Sequence, residues 1–270
     1  MITGIPLTVT YGRIATFNKI NENDLGNSLI NLASGKKVRQ PQDGVSDFFR
    51  AQRLSRDSND YSRIKKDIGK ASAMMDVVAD TGEMVFNGIE RMKQLVDLYY
   101  DNSTTEDQKK SIQSEFSSLV KQVSYTVNNT YYDGKQLVSD SRDNPLDSVS
   151  LDPRNIDNKM VISFGAEQVA NVDGLTLGAG YNEDIAAVNE ELKKAGSYLA
   201  SANAYSMGLS AQYAIAEKKV NISNTVKDSI TGTDSGQEMI RATNHSIQHQ
   251  SSFAMMAQAN LIRSSLVKLF

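Results

Sequence analysis

The chain has 270 residues, 40% of them hydrophobic and 23% charged, with a formal net charge of −3. That supplies enough apolar surface for one or two packed domains, and it leaves no basic excess of the kind that grips nucleic acid. Cysteine is absent, which excludes disulfides, zinc–thiolate centres and thiol nucleophiles.

In chain order, the opening stretch MITGIPLTVTYGRIATFNKI lacks a basic n-region, an unbroken apolar run and a small-residue cleavage site. No cleavable secretory signal is expected there. A short helix carrying Leu25, Leu29 and Leu32 is predicted to end at Gly35, a residue type suited to the position after a helix. The linker KKVRQPQD follows, with a new helix starting near Asp43 or Gly44. From Ile64 the apolar or small positions run Ile68, Ala71, Met75, Val78, Gly82, Val85, Ile89, Met92, Val96 and Tyr99. The steps alternate three and four, which is a heptad seam. Gly82 costs about 1 kcal/mol against alanine in such a helix, so it marks a close backbone approach and not a helix end. Met74, Met75, Met84 and Met92 read as core at helical spacing.

DNSTTEDQ offers a capping box, Ser103 with Glu106, for a second helix bearing Ile112, Phe116, Leu119, Val123 and Val127 on one face. Asp133-Gly134 is a turn dipeptide, and Lys159 to Gly165 alternates as a strand. A small hairpin with irregular loops is expected over 131–181. Heptads return with Ile185, Val188, Leu192, Ala195, Leu199, Ala202, Ser206, Leu209, Tyr213, Ala216 and Val220. A break at TGTDSGQE, with Asp234 or Ser235 as N-cap, opens a last helix in which Ala242 to Ile262 holds no carboxylate, lysine or arginine.

The fold class expected from this pattern is mainly α: an elongated antiparallel helical bundle with heptad-patterned long helices (44–100, 104–129, 182–230), a small β-hairpin at the far end, and paired terminal helices that form a coiled coil on assembly. The chemistry of catalysis is missing from the pattern. His245 and His249 have the i, i+4 spacing of metal ligands but no glutamate between them and no evident third ligand, so they read as polar residues of a helix packed against another subunit. No phosphate loop, dinucleotide fingerprint or nucleophile elbow occurs. No enzyme activity, cofactor, metal, nucleic acid or membrane partner is expected. No stretch reads as a membrane span, because Asn244, His245, Gln248, His249, Gln250, Gln258 and Asn260 would be costly in lipid.

Five segments in order carry a family resemblance. NLASGKKVRQPQDGVSDFFRAQRL looks like a helix closing on a Leu-x-Ser-Gly-basic motif, a linker, and the start of a long helix. The stretch from IERMKQLV ends in Tyr131-Tyr132-Asp133-Gly134-Lys135-Gln136-Leu137-Val138. NKMVISFGA, AEKKVNISNTVKDSI and FAMMAQANLIRSSLVKLF follow. Over nearly its whole length the chain resembles bacterial flagellin, in a minimal form without variable outer domains. The resemblance implies a structural subunit that polymerises into the flagellar filament for motility. Residues 1–42 and 234–270 would form an inner coiled-coil tube and 43–233 a rod domain. The implied partners are other copies of the chain, the flagellar export chaperone and export apparatus, and the hook-associated and cap proteins. The implied location is outside the cell after type III export, or the periplasm where flagella are internal.

Assembly through the terminal helices is expected at Leu25, Leu29, Leu32, Ile240, Ile247, Phe253, Met256, Ala257, Asn260, Leu261, Leu266, Leu269 and Phe270. A lone terminal helix gains little from an apolar face, whereas stacked copies remove that face from water. By resemblance, Arg91, Leu95 and Glu115 match a surface that a vertebrate Toll-like receptor reads in some flagellins, with Lys93 and Gln94 departing from the family pattern. The opening segment also departs from the usual flagellin start. Pro41 in RQPQDG is closer to the hook–filament junction protein, an adaptor ring that stands as the alternative reading. A cytosolic coiled-coil regulator is a third, supported only by the heptads.

Overall fold

The computed structural model of the chain describes residues 7–138, 145–155 and 157–267. The fold is mainly α. Its helices are α1 (Leu7–Ser34), α2 (Val45–Tyr99), α3 (Glu106–Asn129), α4 (Tyr181–Thr231) and α5 (Ser235–Val267). Among the described residues four short strands, β1 (Tyr131–Tyr132), β2 (Lys135–Gln136), β3 (Asp147–Ser150) and β4 (Lys159–Ile162), pair as two separate antiparallel ribbons, so the small hairpin expected is present and a second stands with it. At 28 residues α1 is also longer than the short helix foreseen. The chain divides into two compact units. One comprises Asp57–Ile222, and the other holds the chain up to Arg56 and from Ser223 onward.

Within Asp57–Ile222 the heptad seam of α2 is the core. Ile64, Ile68, Ala71, Met75, Val78, Val85, Ile89, Met92 and Val96 are all buried, and so is Met74, whereas Met84 faces outward. α4 runs antiparallel to α2: Lys65 meets Glu217 at 2.6 Å, and the Tyr100 hydroxyl donates to Asp184 at 2.8 Å. Between those contacts lies Gly82. A Cβ there would stand 3.3 Å from Tyr198 Cδ1 and 3.6 Å from the Cα of Leu199. The glycine brings two helix backbones together, as its place in the seam implied. α3 closes the other side with Phe116, Val123 and Val127 buried. Its capping box is not Ser103 with Glu106 but Thr105 with Gln108. Ser103 is already committed, its N–H and hydroxyl both donating to the Asp101 carboxylate at 2.7 and 2.6 Å.

Asp133 (φ 49°) and Gly134 (φ 76°) make the tight turn between β1 and β2, the two positive φ values that a twisted two-residue hairpin loop requires. β4 ends at Ile162, short of the strand expected to Gly165, and pairs with Asp147–Ser150. The chain then turns Phe164 into the core, where its ring centroid lies 4.4 Å from Tyr198 and 5.7 Å from Tyr205. Each tyrosine also anchors a segment by its hydroxyl, Tyr198 donating to the Leu137 carbonyl at 2.9 Å and Tyr205 to that of Ser163 at 3.1 Å. Burial pushes the Tyr198 hydroxyl well above the ordinary phenol range. Replacing Phe164 with alanine removes a fully buried ring that docks the second ribbon on α4. The expected loss is about 3–5 kcal/mol, read as a lower urea midpoint at unchanged m-value by far-ultraviolet circular dichroism.

The glycine-rich loop before α4 is held by the same logic. The buried Asp184 carboxylate accepts from Tyr100 and from the Gly178 N–H, and the Gly180 N–H donates to the Tyr100 oxygen at 2.9 Å. Burial and then the Asp184 carboxylate raise the Tyr100 hydroxyl above its usual range.

In the other unit α1 ends on Gly35 (φ 64°), after which Lys36 bridges Gly232 and the Lys37 N–H donates to the Thr231 carbonyl at 2.8 Å. The linker is folded on Asp43. Its carboxylate accepts from the N–H groups of Arg39 and Gln40 at 2.8 and 3.0 Å, which hold it below the usual carboxylate range. α5 starts on Asp234, one of the two caps foreseen, which accepts from the N–H groups of Gly236 and Gln237.

Candidate assembly surface

α1 and α5 pack antiparallel. Asn31 Nδ2 donates to Glu238 Oε1 at 3.2 Å near one end, and a groove of about 570 Å³ further along is lined by Ile14, Phe17 and Asp24 of α1 with His245, Ser252 and Met255 of α5. The less exposed positions of α5 include Glu238, Ala242, His245, His249, Ser252, Met256 and Ala259. Those of α1 include Ile14, Asn18, Asn21, Leu25, Ser28 and Leu32. Both sets step by four and three, so the pair meets along a heptad seam.

The seam is unusually polar. Asparagine, serine, glutamate and both histidines of the chain occupy positions where a coiled coil normally places leucine or isoleucine. Among the described residues, buried Asn18 Oδ1, Asn31 Oδ1 and His245 Nδ1 have no hydrogen-bond partner. Each such atom costs about 1–3 kcal/mol relative to a satisfied one. The large apolar side chains flank the seam and stay open to solvent. Phe17, Ile20, Leu29 and Ile30 of α1, with Met239, Ile240, Ile247, Phe253, Met255 and Leu261 of α5, are 47–67% exposed. A helix pair that buries polar groups and displays apolar ones is held weakly to itself and presents a surface that calls for cover.

The residues singled out in the sequence divide accordingly. Leu25, Leu32 and Met256 are half-buried in or beside the seam. Leu29, Ile240, Ile247, Phe253, Ala257, Asn260 and Leu261 are exposed. Leu266 lies within α5, and Leu269 and Phe270 fall outside the described residues. Phe17, Ile20, Ile30, Met239 and Met255 belong to the same outward surface and were missed. Their helical phase relative to Ile240 and Ile247 would have found the two methionines, but for α1 the pattern Phe17, Ile20, Leu29, Ile30 is too irregular to reveal its exposed side.

His245 lines the groove beside α1, and the His249 ring stands edge-on to Phe253 at 4.7 Å. Among the described residues no three His, Asp or Glu side chains are placed to hold a metal, and no helix is long and apolar enough to cross a membrane. In the Asp57–Ile222 unit, Arg91 Nη2 and Nε donate to Glu115 at 2.8 and 3.0 Å, and Nη1 donates to Gln94 at 3.2 Å. Leu95 lies beneath them at 1% exposure. The expectation that all three form a surface contact is corrected: Leu95 supports the helix pair from inside, and only Arg91 and Glu115 reach solvent.

The family model for the bacterial flagellin N-terminal helical region matches residues 11–143, and that for the C-terminal helical region matches residues 185–270. The chain is similar to the flagellin of Listeria innocua serovar 6a, 22% identical over 255 residues that cover 88% of this chain and 89% of the relative. It is also similar to the flagellin of Listeria monocytogenes serovar 1/2a, 21% identical over the same shares of both chains.

Proposed function

The chain belongs to the bacterial flagellin family and is a structural subunit of the flagellar filament, and from that premise we propose that the outward apolar faces of α1 and α5 are where copies join. The observation that supports this is the inverted pair: polar groups inside the seam, with Ile240, Ile247, Phe253 and Leu261 outside it. Leu29, Ala257 and Asn260 are exposed beside them, Leu25, Leu32 and Met256 keep α1 and α5 together, and the sequence assigns Leu266, Leu269 and Phe270 to the same joining role. Neighbours that cover such faces in a head-to-tail sense make a contact that does not close, so it grows.

In this reading residues 1–42 and 234–270 build an inner tube and residues 43–233 an outer one. The subunit leaves the cell unfolded through the type III export apparatus with a dedicated chaperone, and the growing filament meets hook-associated and cap proteins at its ends. It works outside the cell, or in the periplasm of a bacterium with internal flagella. Arg91 and Glu115 offer a vertebrate Toll-like receptor a paired cation and carboxylate, and receptor signalling that stays silent at saturating monomer would remove that partner. Electron microscopy of purified chain nucleated with ammonium sulfate tests the main reading. Filaments that lengthen with subunit concentration are expected, and assembly that halts at rings would point to a junction adaptor instead.

A further inference from the structure

The described methionines range from buried to the exposed Met84, Met207, Met239 and Met255. Met74, Met75 and Met92 lie in the core of the Asp57–Ile222 unit at 3% exposure or less, whereas Met239 and Met255 on α5 are 63% and 48% exposed. Met239 stands next to the exposed Ile240, and Met255 lines the groove with Ile14, Phe17 and Ile20 of α1. A thioether in such a place is a soft, adaptable apolar contact for whatever covers it. It is also the side chain that an oxidant turns polar without touching the backbone. With no cysteine present, thioethers are the only sulfur in the chain.

We propose that Met239 and Met255 make α5 an oxidation-sensitive assembly site, open to peroxides and hypohalous acids in the free chain and closed to them once copies have joined. In the step, the thioether sulfur attacks one peroxide oxygen. An S–O bond forms as the O–O bond breaks, sulfur gives up two electrons, and the second oxygen leaves as water after taking up a proton. The product sulfoxide is a strong acceptor, and burying it against a neighbour's apolar face leaves it without a donor. A methionine sulfoxide reductase reverses the change. The inference rests on the assembly reading above and adds its regulation: growth of the polymer is vulnerable to oxidant while the finished polymer is not.

The test treats the full-length folded chain with hydrogen peroxide, removes the excess with catalase, and measures the critical concentration for salt-nucleated polymerisation beside residue-resolved mass spectrometry. Sulfoxide is expected at Met239 and Met255, and at the exposed Met84 and Met207, but not at Met74, Met75 or Met92. The critical concentration should rise about tenfold or more and return after reductase treatment. Peroxide should leave the critical concentration of a chain carrying Met239→Leu and Met255→Leu at that chain's own untreated value, and one carrying Met84→Leu and Met207→Leu should not be protected. The single variants M239L and M255L, each partly protected, give the same reading if the double variant assembles poorly. Undiminished polymerisation with both sites oxidised overturns the inference, as does equal loss in the Met239/Met255 variant or resistance of both thioethers in the free chain. A filament in which both thioethers still react sinks the assembly reading for α5 itself, and this inference with it.

Discussion

A chain ending at Ser252 is expected to keep the Asp57–Ile222 unit folded and to lose polymerisation altogether. The deleted stretch contains Phe253, Met255 and Leu261, all exposed on α5, and contributes nothing to the core built on α2, α3 and α4. Its removal therefore leaves the urea midpoint of that unit within experimental error. Assembly responds differently. If neighbours cover roughly 400 Å² of apolar surface on the deleted segment, that burial contributes about 10 kcal/mol gross, reduced by the cost of ordering the helix. Since each 1.4 kcal/mol or so is a tenfold change in an association constant, even a third of it raises the critical concentration by roughly two orders of magnitude. Pelleting assays and electron microscopy across a salt series read the result. Filaments from the truncated chain at concentrations near those of the full chain would show that α5 is not the joining element.

The separation of roles behind that expectation was partly written in the sequence. A seam that steps by three and four from Ile64 to Val96 permits one geometry, a long helix with one buried edge, and every large side chain of that seam is buried. Gly82 was legible for the same reason, because a residue without a side chain at a core position of a helix has a use only if another backbone comes close. Asp133-Gly134 was legible through the rarity of positive φ at consecutive residues. Each of these features is local or periodic, and the chain encodes it within a few residues of itself.

What was not legible depends on partners far away in sequence. Nothing near Phe164 says that it will sit between Tyr198 and Tyr205, and nothing in DSVS marks a strand until Lys159–Ile162 arrives beside it. The capping error at α3 has a nearer cause. Ser103 and Thr105 both fit the role, and Asp101 decides between them by taking the Ser103 N–H and hydroxyl. Leu95 was misread because a resemblance places a residue in sequence but not on a face. The low charge of the last helix was plain from Ala242 to Ile262, yet composition does not orient a helix. Only the pairing with α1 reveals that His245 and His249 are partly covered while Ile240 and Ile247 stay exposed.

That orientation gives the second large expected effect, because the two sides of α5 should respond in opposite ways to substitution. Placing aspartate at Ile240 and Ile247 puts two charges on the outward face, and covering an unpaired charge costs several kcal/mol. Polymerisation should be abolished while helix content holds; hydrogen exchange along the α1–α5 seam should be unchanged near the exposed Ile240 and shift at most locally near Ile247, which lines the groove beside α1. Placing leucine at Asn18 and His245 acts on the seam instead. It removes two buried atoms that lack partners and puts apolar side chains at positions where a heptad favours them. The free pair should then become more stable by about 1–3 kcal/mol, read as slower hydrogen exchange in α1 and α5, and polymerisation should survive because the outward face is untouched. If the leucine variant instead stops polymerising while the aspartate variant continues, the seam and the joining face have been exchanged. The polar edge would then be the side that meets other copies, and the pairing of α1 with α5 a contact that must open first.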